Sequence, residues 1–240
     1  MIALMLIVNC MRTEKGGINL KVLPLIIYII IGLFTCAKQG DQKKTTILKP
    51  VEIKQYEGVQ LSSINDFREN SIRGPQRINK EKYQLKITGL VNEPKTYSYD
   101  EVINNHPHYK KVIRLDCVEG WSVTILWEGV LIRDLINEAK PESSAKIIIF
   151  HAYEGYTTSF PIDYIVKNDI IMAYKMNGIT LPPQRGFPFE LVAESKWGYK
   201  WIKWITKIEL SADTTYRGYW EKRGYSNGGG LDKDFYEKEK

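Results

Sequence analysis

Between residues 58 and 212 the apolar positions come in short runs separated by turn residues. Residues 83–90 (YQLKITGL) alternate as a half-buried strand does, and Gly89 with residues 92–94 marks its end. Residues 98–105 suit a short helix that His106-Pro107 stops. Residues 111–116 (KVIRLD) predict a strand running straight into Cys117, and residues 123–127 predict a second, followed by a helix over 130–139. Residues 145–150 (AKIIIF) read as a buried strand. Residues 169–176 and 179–181 flank Asn177-Gly178, a strong hairpin-turn signal, and residues 201–210 (WIKWITKIEL) close the pattern with a strand. Many short strands, few short helices and no repeat predict an α+β domain, mixed and β-rich.

The flanks read differently. Residues 22–35 (VLPLIIYIIIGLFT) form an apolar run of signal-peptide length, preceded by Lys15 and Lys21 and short for a membrane span. The run ends at Cys36 and a polar stretch, AKQGDQKKTT, follows. This resembles a bacterial lipobox with Cys36 as the lipidated residue, although Thr35 stands where Gly, Ala or Ser is usual. Residues 1–36 are therefore expected to be a lipoprotein signal peptide or an uncleaved membrane anchor. Either holds the protein at a membrane, with an extracytoplasmic location expected. Residues 37–57 read as a polar tether, 58–212 as the domain, and 213–240 as a C-terminal extension whose charged end is expected to be mobile.

Composition narrows the chemistry. With 240 residues, 43% hydrophobic and 26% charged, the chain has material for one or two folded domains. A net charge of +6 favours anionic partners, such as lipid headgroups or a phosphate-bearing cofactor. The charges are scattered and form no basic helix or RNA-binding signature, so no nucleic-acid partner is expected. Cys10 and Cys36 lie in the N-terminal segment, which leaves the domain Cys117 alone and excludes an intradomain disulfide or a CxxC zinc site. Cys117 follows an apolar strand and opens a loop, Val118-Glu119-Gly120-Trp121-Ser122, a place where a rigid scaffold presents a side chain. A thiolate there can bind a soft metal or act as a nucleophile, and a buried structural cysteine is the third reading. His106, His108 and His151 fall in no recognisable Cys/His protease pattern.

Cys117-Val118-Glu119-Gly120-Trp121-Ser122, then Trp127-Glu128-Gly129-Val130 and Asp134-Leu135, resembles the cysteine loop of the sulfite-oxidase family. That family's bacterial members include the catalytic subunit of the periplasmic methionine-sulfoxide reductase. The likeness continues through Gly155-Tyr156-Thr157-Thr158-Ser159, Leu181-Pro182-Pro183, Gly186-Phe187-Pro188 and Trp197-Gly198-Tyr199-Lys200-Trp201-Ile202-Lys203-Trp204, covering residues 61–210. It implies the β-rich catalytic-domain fold and a molybdenum–molybdopterin cofactor, with the Cys117 thiolate as metal ligand and catalytic residue. It also implies cofactor contacts from Asn65, Arg68, Glu69, Arg185, Trp201, Ile202 and Lys203, while Trp204 is expected in the core. Glu190 stands where the family usually has an Arg near the phosphate. An ionised acid would repel an anion there, so Arg185 or Arg68 is expected to supply the positive charge. The implied reaction is oxygen-atom transfer to or from a small S- or N-oxide, either sulfoxide reduction or sulfite-type oxidation. Electrons would pass to or from a separate partner, such as a membrane haem or quinone protein. Arg12 stands alone before the apolar run, where an exported molybdoenzyme usually carries a twin-Arg signal. A cofactor-free relative, a membrane-anchored module binding a small anion or a protein, is the alternative.

Overall fold

Alternation and capping set the elements. The computed structural model describes residues 50–237. β1 (Gln55–Tyr56) and β2 (Val59–Gln60) form a small hairpin. β3 (Leu85–Gly89) buries Leu85 and Ile87 and exposes Lys86 between them, and β4 (Lys95–Tyr97) pairs with it antiparallel. α1 (Tyr99–Asn105) opens on a capping box: the Ser98 hydroxyl accepts from the Glu101 N–H, and the Glu101 carboxylate accepts from the Ser98 N–H. It ends at His106, because the residue before a proline avoids the helical region.

β5 (Tyr109–Asp116) and β6 (Ser122–Leu131) pair antiparallel from Tyr109↔Gly129 to Asp116↔Ser122. β6 is longer than its apolar run suggested. It continues to Leu131 and feeds directly into α2 (Ile132–Glu138). β7 (Ile147–Ala152), β8 (Thr157–Pro161) and α3 (Ile162–Lys167) follow. β9 (Ile171–Met176) turns through Asn177-Gly178 into β10 (Ile179–Thr180), the hairpin that dipeptide predicted. β11 (Glu190–Leu191) and β12 (Ile205–Ser211) complete the set.

Two five-stranded sheets result. One has the order β10-β9-β6-β5, with β11 added on β9; the other runs β4-β3-β12-β7-β8, with β12 parallel to β3 and the other pairs antiparallel. One cluster of buried side chains draws on both, including Leu85, Ile125, Trp127, Phe150, Met172 and Ile208. Gly129 lies where β6 and β9 approach closely, and a Cβ there would sit 2.4 Å from the Met172 carbonyl oxygen.

The strand expected over 201–210 is shorter. Residues 198–200 form a 3-10 turn, Trp204 has φ +56°, and β12 begins only at Ile205. Side-chain bonds account for the break: the Trp201 indole N–H donates to the Lys196 carbonyl (2.9 Å) and that of Trp204 to the Pro183 carbonyl (2.7 Å). Trp204 is fully buried, as expected of a core residue.

The signal, lipidation and tether assignments for residues 1–49 lie outside the described residues, as do 238–240. No helix among the described residues is long and apolar enough to cross a membrane. Within the stretch read as tether, residues 52–53 are bonded to the sheets. The Glu52 carboxylate accepts from the Ile64 N–H (2.6 Å) and the Asn177 amide (3.0 Å), and the Ile53 N–H donates to the Asn177 carbonyl (2.9 Å).

Candidate active site

Cys117 emerges where β5 ends. Its N–H donates to the Trp121 carbonyl (2.9 Å) and its carbonyl accepts from the Gly120 N–H (3.0 Å), so the loop closes on itself. Gly120 makes that turn at φ +83°, a conformation side chains resist. Behind the loop, Asp116 bridges Trp197, and a Cβ on Gly198 would lie 3.4 Å from the Cys117 Cα. The cysteine is thus fixed from two sides, with its side chain on the wall of a cleft of about 390 Å³, a volume suited to a small-molecule ligand.

The cleft gathers most of the residues expected from sequence. Arg68, Glu69, Cys117, Arg185, Trp201, Ile202 and Lys203 all line it. Asn65 does not; it is exposed on the loop before Phe67. The loop 67–70 is clamped by Arg185, whose guanidinium donates to the Phe67 (2.9 Å) and Arg68 (3.3 Å) carbonyls and lies 4.5 Å from the Phe67 ring centre. Lys203 pairs with Glu69 (3.0 Å) and also reaches the Gln184 carbonyl. The Arg68 side chain makes no ion pair among the described residues, which leaves its charge available to a ligand.

Other wall residues were not among the expected contacts, and four of them bear on the site's chemistry. Asn70 directs its amide at the Cys117 sulfur (3.5 Å). Glu154 is buried, with Oε2 lacking a hydrogen-bond partner, in the turn before the Gly155-Tyr156 motif. Trp220 and Tyr225 come from the C-terminal extension. Asn70 adjoins the N-x-F-x-E pattern and Glu154 the Gly155-Tyr156 run, so proximity to motifs was the available signal. For the two aromatic residues there was none, because the chain's path after Ser211 is not written in its periodicity.

The extension is fastened beside the cleft. Lys200 is fully buried, and its ammonium donates to the Glu221 carboxylate (2.7 Å), the Ser159 carbonyl (2.9 Å) and the Asn227 carbonyl (3.1 Å). Thr158 adds a hydroxyl bond to the same Glu221 oxygen (2.6 Å). Gly218 passes so close to β8 that a Cβ would lie 2.2 Å from the Thr157 carbonyl oxygen.

Two of the three readings of Cys117 weaken on this geometry. A nucleophile needs a base, and no histidine lines the cleft. His106 bonds the Val102 carbonyl, His108 the Ile103 carbonyl, and His151 the Glu209 carboxylate. Burial pushes the thiol up from its ordinary value and the Glu119 charge adds to this, while hydrogen bonds from the Glu119 backbone and Asn70 and the Arg68 charge offset it only in part. Cys117 is 7% exposed, yet it lines the cleft wall with its sulfur beside an amide donor, more than a structural role requires.

Comparison with known proteins settles the family. The oxidoreductase molybdopterin-binding domain model matches residues 72–220, more than half of the chain. The chain belongs to that family. Over 145 residues it is 34% identical to the uncharacterized oxidoreductase YuiH of Bacillus subtilis (strain 168), covering 60% of this chain and 72% of that protein. The crystal structure of the sulfane dehydrogenase SoxCD from Paracoccus pantotrophus shares the fold, with TM-score 0.56 at 21% identity over 58% of this chain. The chain spans 41% of the length of that structure. The family assignment makes the protein a molybdenum-dependent oxidoreductase with a molybdenum–molybdopterin cofactor, on the mixed β-rich fold expected from its sequence.

The cleft suits that group. It presents a thiol for a soft metal, an Arg68 with no ion pair among the described residues, and two buried carboxyl groups, Glu154 and Glu190, each with an oxygen that lacks a partner there. Ligand donors and anionic oxygens are what such a set leaves room for.

Proposed function

We propose that Cys117 is the protein ligand of the molybdenum and that the enzyme transfers an oxygen atom to or from a small S- or N-oxide. The observation that carries this reading is the placement of Cys117: the one cysteine among the described residues, held on the cleft wall with an amide donor on its sulfur and no histidine on that wall. Bound there, the cofactor supplies the redox chemistry of the transfer. Asn70 orients the thiolate and stabilises its charge by an N–H···S bond. Arg68 meets the anionic part of the cofactor, and Trp201, Ile202 and Lys203 complete the wall against which it rests.

The surroundings of the cysteine favour a weakly charged substrate. Leu115, Val118, Trp121 and Trp201 line the cleft with Cys117, and Arg68 is the cation that acts on its thiol. Sulfite oxidation needs several cations about the metal, whereas a sulfoxide needs few, so sulfoxide-type reduction is the preferred direction. Electrons then come from a separate protein, a haem or quinone protein of the membrane. Attachment through residues 1–36, with a lipid on Cys36, would bring the two together. Intact-mass measurement of membrane-extracted protein is expected to show the lipid on an N-terminal Cys36, and an unmodified full-length N-terminus would reject it.

The test of the ligand is Cys117→Ser, a nearly isosteric change. The variant is expected to fold and keep part of its pterin, to lose the wild-type Mo(V) paramagnetic resonance signal, and to lose dye-coupled sulfoxide reduction and sulfite oxidation. Wild-type activity in Cys117→Ser would remove the ligand assignment even if molybdenum is present.

A further inference from the structure

Glu190 opens β11 at the edge of the cleft, where the family resemblance places an arginine. It is 3% exposed, and its Oε2 has no hydrogen-bond partner among the described residues. The charged groups around it are directed elsewhere. Arg185 clamps the Phe67 and Arg68 carbonyls, and Lys203 pairs with Glu69. Glu154, the other buried acid of the wall, interacts with Lys203 and Glu69 and has its own oxygen without a hydrogen-bond partner among the described residues. Glu190 therefore feels the positive potential of Arg185 and Lys203 without forming an ion pair to either.

An ionised carboxylate buried without a partner costs several kcal/mol. The group avoids this by keeping its proton. Burial pushes Glu190 up to about 8, against the pull of Lys203 and Arg185 in the other direction. The expectation that this acid would repel an anion assumed that it is ionised, and burial removes that assumption. A protonated carboxyl group is a hydrogen-bond donor, and a donor facing a cleft needs an acceptor. The neighbouring cations make an anionic oxygen the acceptor that fits both the donor and the local potential.

We propose that Glu190 serves as a protonated hydrogen-bond donor in the cofactor site, its carboxyl O–H directed at an anionic oxygen of the cofactor's phosphate, in the field of Arg185 and Lys203. The inference rests on the cofactor reading of the cleft and deepens it: the arginine is replaced by a neutral donor whose function depends on pH. The competing arrangement, an ionised Glu190 accepting from the pterin's N–H groups, predicts the opposite pH response.

The test uses the loaded wild-type protein, Glu190→Gln and Glu190→Met. Each is gel-filtered at pH well below and well above 8, then assayed for retained molybdenum and for pterin by fluorescence of its oxidised derivative. Wild type is expected to retain its pterin at the lower pH and to lose it severalfold more at the higher. Glu190→Gln, a neutral donor at every pH, should show no such dependence. Glu190→Met, with no donor, should bind roughly tenfold or more weakly throughout, as the loss of a bond to a charged group implies. Infrared spectra of cofactor-free protein at neutral pH are expected to show a protonated carboxyl band that is missing from Glu190→Gln. Retention that is flat or rises with pH in wild type, a decline that survives in Glu190→Gln and so belongs to Glu154, or the absence of the infrared band would overturn the role of Glu190. Wild-type protein with no pterin at any pH, from a cofactor-competent host, would instead overturn the cofactor reading beneath it.

Discussion

Asn70 and Cys117 meet at 3.5 Å, and the energetics of that contact depend on the charge of the sulfur. A neutral thiol gains little from an amide donor, whereas a metal-bound thiolate gains the larger share of a charge-assisted bond. Asn70→Ala is therefore expected to cost only about 1 kcal/mol in folding stability. It should leave molybdenum content near wild type and shift the Mo(V) resonance parameters and the midpoint potential measurably. A variant with unchanged spectrum and potential would confine Asn70 to shaping the loop. The sequence made Cys117 legible because it is the domain's one cysteine and sits at a strand end. It left Asn70 and the protonation of Glu190 unread, since both depend on burial and proximity between distant segments, here separated by 47 positions in the case of Asn70 and Cys117. Asn65 belongs to the same pattern as Arg68 and Glu69, which line the cleft, but lies outside its wall.

The elements with a strong local signal were read well. α1 has its capping box, β9–β10 its Asn177-Gly178 turn, β3 its alternation, and β5 its apolar run into Cys117. β8 and α3 escaped because residues 157–167 mix threonines and aromatics without a clear period, and pairing with β7 alone decides the strand. The final strand was overextended because the Trp201 and Trp204 indoles bond to the Lys196 and Pro183 carbonyls, which breaks the strand at residues 201–204 and leaves 201–203 in the cleft wall. The C-terminal extension is an element of the site as well, joined through Lys200 and Glu221, whose side chains are fully buried. Lys200→Met strands the Glu221 carboxylate, leaving it the Thr158 hydroxyl, and is expected to destabilise the domain by about 3–5 kcal/mol. The double change Lys200→Met, Glu221→Leu should recover most of that loss in thermal melts. A single variant as stable as wild type would mean that the pair contributes nothing to fastening the extension.

At the scale of the whole molecule, the fold class followed from the count and brevity of the strands. The placement of the cleft did not, because its wall combines residues from six segments, 67–72, 115–121, 154–156, 185–190, 198–203 and 220–225. Only tertiary assembly brings six such segments together, and motif order along the chain is a partial proxy for it. The net charge of +6 is carried mainly by surface cations, which an amine-directed reagent would modify readily. Lys200 differs from them in accessibility, being sealed under the extension with three acceptors around its ammonium. Its acylation requires the segment bearing Trp220 and Tyr225 to lift away first, so its rate relative to surface lysines measures the free energy of that local opening. In a timed labelling experiment read by mass spectrometry, Lys200 should be among the last lysines to react. A bound cofactor resting against those aromatic residues should slow it further, turning one buried amine into a reporter of occupancy for a site that contains no lysine of its own except Lys203.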